Sequence, residues 1–132
     1  MNEKQVALYL TKELLKRKFI VHKYNAYSTS SIYLKLDYGV SCGIRISDHP
    51  GRKKYHYRFN VIKDYKGNKA VTRDGLISFF YNFNELDKVL DAVQKEKQSK
   101  VADYGIDNYK VYMKRNANQR IYREFEKLKG VA

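Results

Sequence analysis

Ile32-Tyr33-Leu34-Lys35-Leu36-Asp37-Tyr38-Gly39-Val40-Ser41-Cys42-Gly43-Ile44-Arg45-Ile46-Ser47 alternates between apolar and polar positions on both sides of a Tyr-Gly break. Successive side chains of a strand point to opposite faces. Ile32, Leu34 and Leu36 therefore belong to one face, and Tyr33, Lys35 and Asp37 to the other. Val40, Cys42, Ile44 and Ile46 repeat the pattern against Ser41, Gly43, Arg45 and Ser47. With Tyr38-Gly39 turning the chain, the stretch reads as an antiparallel pair with one apolar face.

The neighbouring segments extend this pair. Asp48-His49-Pro50-Gly51 is turn chemistry, because Pro fixes φ and Gly supplies a left-handed position. Tyr55, Tyr57, Phe59 and Val61 then alternate with His56, Arg58, Asn60 and Ile62 as a third strand. Lys66-Gly67-Asn68 marks a second turn, and Leu76 to Tyr81 is a further apolar strand. On the N-terminal side, Phe19 to Tyr24 has the length of a short strand, and Ser28 to Ser31 is a loop by composition. Glu3 to Lys18 reads as an amphipathic helix, with Val6, Ala7, Leu10 and Leu14 at helical spacing and Asn2 and Gln5 placed as a capping box.

After the strands, Asn82 or Asn84 is positioned to cap a helix with the apolar stripe Leu86, Val89, Leu90 and Val93, which fades in the polar run Gln94 to Lys100. Asp107 to Lys129 reads as a last helix lined by Tyr109, Met113, Ala117, Ile121, Phe125 and Leu128. Its centre, Asn116-Ala117-Asn118, is made of weak helix formers and is where the helix would break. The expected class is α+β: an antiparallel β-meander of three to five strands, an N-terminal helix, and two C-terminal helices packed on one face. The length fits one domain over 1–132, divided into the helix 1–18, the meander with its helix 19–100, and a helical extension 101–132.

Charge narrows the function. The chain carries 27 Lys and Arg against 14 Asp and Glu, a formal +13 in 132 residues. Such a surface repels itself, and an acidic partner, nucleic acid above all, relieves the repulsion. The surplus lies mainly in residues 1–60 and in the last helix, whereas 61–100 is nearly neutral. At 43% hydrophobic, with 13 Tyr and 6 Phe, the chain has enough apolar surface for a core. The lone Cys42 excludes an intramolecular disulfide and suits a reducing compartment. No apolar run approaches the roughly 20 residues of a membrane span. The N-terminus lacks a signal peptide's apolar centre, so a location in the cytoplasm is expected.

The residues from Arg45 to Arg58 concentrate charge and aromatic surface. Arg45 and Arg58 should project from the face opposite the apolar one, with Arg52, Lys53 and Lys54 on the loop tip and His49 and His56 beside them. A flexible basic tip can pair with phosphates, and it can equally be a solvated hairpin loop. On the last helix, Lys110 and Lys114, with Arg115 adjacent, and Arg120, Arg123 and Lys127 form basic stripes; Glu124 and Glu126 partly neutralise them. Tyr33, Tyr38, Tyr65 and Tyr104 are the tyrosines free to stack on bases, whereas Tyr55 and Tyr57 share the apolar face.

Asp48, His49 and His56 offer a carboxylate–imidazole arrangement for general-base chemistry. An Asx-type turn is the plainer reading of Asp48. With three His and one Cys in the chain, a metal site of converging ligands is not expected. The sequence has no Gly-rich phosphate loop, nucleophile elbow or Cys-x-x-Cys. No catalytic residue and no cofactor are assigned.

The order of these pieces resembles small proteins encoded by phages and mobile elements of Gram-positive bacteria, among them the type II-A anti-CRISPR inhibitors of Cas9. The likeness rests on the Ser-rich lead-in Ser28 to Leu36, on Arg45-Ile46-Ser47-Asp48-His49 and Lys54-Tyr55-His56, and on Leu86-Asp87-Lys88-Val89-Leu90, spanning about 28–95. It implies a non-enzymatic inhibitor, in the bacterial host cytoplasm, that binds Cas9 or its guide-RNA complex and blocks cleavage by occlusion. A basic body excludes mimicry of the DNA duplex. The alternative is a basic nucleic-acid-binding phage accessory protein in replication, recombination or regulation. The helix–meander–helix order is also similar to a double-stranded-RNA-binding domain, but Asn84-Glu85-Leu86-Asp87 is acidic where that family has lysines.

Overall fold

The computed structural model describes residues 2–25, 31–48, 57–64, 76–81 and 83–129; residues 47, 48, 57–64 and 76–80 are described by their backbone. Helix α1 spans Glu3–Lys16. It starts as the sequence predicts, with the Asn2 side chain accepting from the Gln5 N–H at 2.9 Å and the Gln5 side chain accepting from the Asn2 N–H at 3.0 Å. It ends in a Schellman closure. The Lys18 N–H donates to Leu15 O and the Phe19 N–H to Leu14 O. That closure needs a left-handed residue, and Lys18 supplies it at φ 65°, which is why the helix stops short of the expected Lys18. A β-carbon there costs about 1 kcal/mol, which the burial of Phe19 beside Leu14 offsets.

Among the described residues, six antiparallel strands follow in the spatial order β5-β4-β3-β2-β1-β6. They are β1 (Val21–Asn25), β2 (Ile32–Leu36), β3 (Cys42–Asp48), β4 (Tyr57–Asp64), β5 (Leu76–Tyr81) and β6 (Glu126–Leu128). The first five run as the meander the alternation predicts, and β6 returns late in the sequence to pair with β1. Register divides the sheet cleanly. Leu36 faces Cys42, Leu34 faces Ile44 and Ile32 faces Ile46 on the apolar side. The positions of Tyr57, Phe59 and Val61 continue that side, while Arg45 and Arg58 share the other.

Helix α1 and helix α2 (Leu86–Tyr104) cover the apolar side. Val6, Leu10 and Leu14 of α1 and Val89, Leu90 and Val93 of α2 join the strand residues in one buried cluster. Each fully buried Leu contributes roughly 1.5–3 kcal/mol, so this layer holds the fold together. The α+β class with an N-terminal helix and C-terminal helices is thus as expected.

Four details differ from the sequence reading. Helix α2 does not fade in Gln94 to Lys100 but continues to Tyr104, because its lysines find acceptors. Lys97 reaches Asp37 at 3.0 Å, and Lys100, 6% exposed, donates to Val40 O at 2.8 Å and Ser41 O at 2.6 Å. Asn84 does not cap α2; it lies in a 3-10 turn, Phe83–Glu85, and Glu85 precedes the helix without a side-chain cap. Asp37 and Ser41 are buried rather than outward, because β2 already ends at Leu36 and the turn folds both inward. Asp37 accepts from the Ile20 N–H at 2.9 Å and from the Tyr109 hydroxyl at 2.6 Å. Burial, then this bond to the carboxylate, pushes the Tyr109 hydroxyl well above its ordinary pKa.

Finally, Asp107–Lys129 is not a helix throughout. Gly105, at φ 82°, breaks α2 from α3 (Ile106–Ala117), and only glycine adopts that geometry without strain. The break expected near Asn116–Asn118 falls after Ala117. A short α4 (Ile121–Glu124) and then β6 follow. Ile121 is 43% exposed instead of lining a helical core. The loop residues expected at 28–30, 49–51 and 66–68 lie outside the described residues.

Candidate nucleic-acid interface

The side of the sheet away from α1 and α2 carries His22 and Tyr24 from β1, Tyr33 and Lys35 from β2, Gly43 and Arg45 from β3, and Lys127 from β6. Strict alternation sends these residues to one side once their neighbours are committed to the core. The rings form a connected row. Tyr33 and Tyr24 stand 6.1 Å apart, and Tyr24 stacks on Phe125 at 5.1 Å and 26°. Phe125 meets Tyr122 edge-on at 5.9 Å, and Tyr122 reaches His22 at 5.2 Å and Tyr38 at 5.3 Å. The turn between β2 and β3 positions Tyr38: Asp37 and Tyr38 both take left-handed backbone at φ 52° and 56°. Gly39 follows at φ 80°, and a β-carbon on it would lie 2.9 Å from the Tyr122 hydroxyl.

Cations border this row. The Arg45 guanidinium stands 5.8 Å from the centre of the Tyr33 ring, and its Nε is buried with no hydrogen-bond partner among the described residues. The Lys35 stem crosses Gly43, where a side chain would meet it at 3.7 Å. Lys127 pairs in register with His22. Among the described residues, no carboxylate comes within salt-bridge distance of Lys35, Arg45 or Lys127. Some cations elsewhere are partnered, among them Arg17 with Asp91, Lys97 with Asp37 and Lys23 with Glu126.

His22, only 2% exposed, sits within the row, and its Nδ1 is buried without a partner. Burial first, and then the charge of Lys127, lower its pKa, so the imidazole is neutral at physiological pH.

The structure distributes the predicted contact residues unevenly. Arg45 is on this face, and position 58 falls there by register. His49, Arg52, Lys53, Lys54 and His56 lie outside the described residues, as do Tyr55 and Tyr65, so the carboxylate–imidazole arrangement has no described geometry. Lys110, Lys114 and Arg115 lie on the exposed side of α3. Arg120, Arg123 and Lys127 do not form the expected helical stripe. The first two flank and belong to α4, Lys127 belongs to β6, and Arg120 pairs with Glu124 at 3.5 Å. Tyr33, Tyr38 and Tyr104 all enter ring contacts. Sequence reasoning missed Tyr24, Tyr122 and Phe125. Tyr24 could have been found by alternation from His22, but nothing local in the sequence shows that the C-terminal segment comes back to β1.

Among the described residues, no group of three His, Cys, Asp or Glu side chains is placed to hold a metal ion. No described helix is long and apolar enough to cross a membrane. Compared with known proteins, the chain matches no family model, no curated protein and no solved structure.

Proposed function

We propose that this chain is a non-enzymatic binding protein whose sheet face away from α1 and α2 docks a single-stranded nucleic acid. The observation that carries this reading is the row of rings interleaved with Lys35, Arg45 and Lys127, three cations with no carboxylate partner among the described residues. Rings accept unpaired bases at about 1–3 kcal/mol each with little sequence preference, and cations track the phosphates. A duplex hides its bases and cannot use the rings. The resemblance to type II-A anti-CRISPR proteins suggests one setting for such a strand: guide RNA carried by Cas9, with the bound protein obstructing cleavage.

Fluorescence anisotropy with labelled single-stranded RNA and DNA, a matched duplex, and the Cas9–guide RNA complex tests the proposal. Three phosphate contacts give a slope of log K against log salt of roughly −2 on single strands. Arg45→Gln should weaken strand binding by about tenfold and flatten that slope by about 0.7. Equal affinity for duplex and single strand, or an unchanged Arg45→Gln protein, would rule out the sheet face. Binding to the Cas9 complex that survives removal of its RNA would place the contact on protein instead.

A further inference from the structure

Beyond the sheet face, a cleft of about 340 Å³ opens where the β2–β3 turn meets the elbow between α2 and α3. Gly39, Lys100, Tyr104, Tyr112, Arg115 and Asn116 line it. Its volume is at the lower end of small-ligand pockets, roughly 300–1,000 Å³, so it suits one small molecule rather than a polymer segment. The lining is chemically mixed in a specific way. Tyr104 and Tyr112 stand at 90° with centres 5.3 Å apart, offering one ring face and one ring edge. The Arg115 guanidinium lies 5.1 Å from the centre of the Tyr112 ring, and no salt bridge among the described residues holds it. Asn116 is anchored by donating its Nδ2 to Tyr38 O at 3.1 Å, which leaves its Oδ1 as an acceptor.

Lys100 is committed to Val40 O and Ser41 O, with Glu96 at 3.9 Å, so it fixes the floor and is not itself a ligand donor. The positive charge available to a ligand in the cleft is therefore that of Arg115. A cation for an oxyanion, an aromatic corner for a planar ring and an amide oxygen for a base N–H, ring or exocyclic, together describe a nucleotide. The cleft also adjoins the sheet face, since Gly39 lies between the Tyr122 hydroxyl and the cleft lining.

We propose that this cleft is a mononucleotide-binding site, resting on the nucleic-acid reading above for the class of ligand. Tyr104 and Tyr112 hold the base, Asn116 Oδ1 accepts from it, and Arg115 binds the phosphate. The nucleotide is either free or the phosphorylated end of the strand lying on the sheet.

Isothermal titration calorimetry with 5′-AMP and 5′-UMP, and with the matching nucleosides, tests the site. Binding of the nucleotides, weakened at least about tenfold in the nucleosides and in Arg115→Gln, is the expected result. Tyr112→Leu, which keeps apolar bulk at a half-buried position, should likewise weaken both nucleotides, with circular dichroism confirming the fold. A short RNA with and without a 5′-phosphate separates the two sources: a preference for the phosphorylated end that disappears in Arg115→Gln assigns the strand terminus, and no preference assigns the free nucleotide. Absence of nucleotide binding in wild-type protein, or binding unaltered by both substitutions, overturns the site. Arg45→Gln distinguishes the two readings. It should weaken the RNA and leave 5′-AMP unchanged, so the sheet face can fail while the cleft stands, and the reverse.

Discussion

Replacing Asp37 by Ala should destabilise the fold and blunt binding together. The carboxylate is 1% exposed and accepts from the Ile20 N–H, the Tyr109 hydroxyl and Lys97. Removing one member of a buried charged pair costs about 3–5 kcal/mol. Lys97 keeps a quarter of its side chain in water and can resolvate, which favours the lower end of that range. A further ~1 kcal/mol comes from the backbone, because Asp37 occupies left-handed φ that Asp tolerates better than Ala. The total is about 4 kcal/mol, or a fall in Tm on the order of 15 °C for a chain of this size. Asp37→Asn keeps the backbone preference and an acceptor oxygen, and should lose roughly half as much. Urea and thermal melts followed by circular dichroism measure both. Because the same turn sets Tyr38 against His22 and Tyr122, strand affinity should fall along with stability in the Ala protein. A loss under about 1 kcal/mol in Asp37→Ala would refute the view that this carboxylate locks the turn to α2 and α3.

Gly39→Ala should cost at least about 1 kcal/mol, since φ is 80° and the new carbon meets the Tyr122 hydroxyl at 2.9 Å; Ala at Gly105, with nothing within 4 Å, meets the backbone penalty alone, and paired urea melts compare them. Burial pushes the Cys42 thiol up to about 12 from 9.0. The folded thiol thus stays protonated where the unfolded one ionises, so the unfolded state binds fewer protons above pH 9. Stability should decline there by about 1.4 kcal/mol per pH unit from this group, a limb that Cys42→Val flattens. His22 has the opposite dependence. Its folded pKa is lowered, so below the ordinary 6.5 the unfolded chain takes up the extra proton and stability falls on acidification. Melts at pH 7.5 and 5 should show a smaller acid loss in His22→Phe than in wild type.

The parts of the fold legible in the sequence were those fixed by short-range periodicity. Ile32 to Leu36 and Cys42 to Ile46 alternate so strictly that their register and core side follow from hydropathy, and the Asn2–Gln5 box fixes the start of α1. What stayed hidden depends on distant partners. Lys97 and Lys100 look like the polar end of a helix until Asp37 and the carbonyls of Val40 and Ser41 are brought beneath them. Tyr109, Phe125 and Leu128 look like one helical stripe until Gly105 and the break after Ala117 send them to three different places. Tyr109 goes to Asp37, Phe125 to Tyr24 and Leu128 to Val21. Of the candidate face, Arg45 and Tyr33 follow from alternation alone. The aromatic row they extend does not, because Tyr122 and Phe125 arrive from a segment that reads as helix in the sequence.

The pairing of Glu126–Leu128 with Val21–Lys23 has a consequence for the order of assembly. Residues 21 and 128 close the longest loop of the sheet, and such contacts form late because their chain entropy must be overcome first. During synthesis the helix-covered layer can form once α2 has emerged from the ribosome, whereas Tyr122, Phe125 and Lys127 reach β1 last. On the proposed reading, a chain stopping near residue 118 would keep the layered interior but hold a strand more weakly, for want of Tyr122, Phe125 and Lys127.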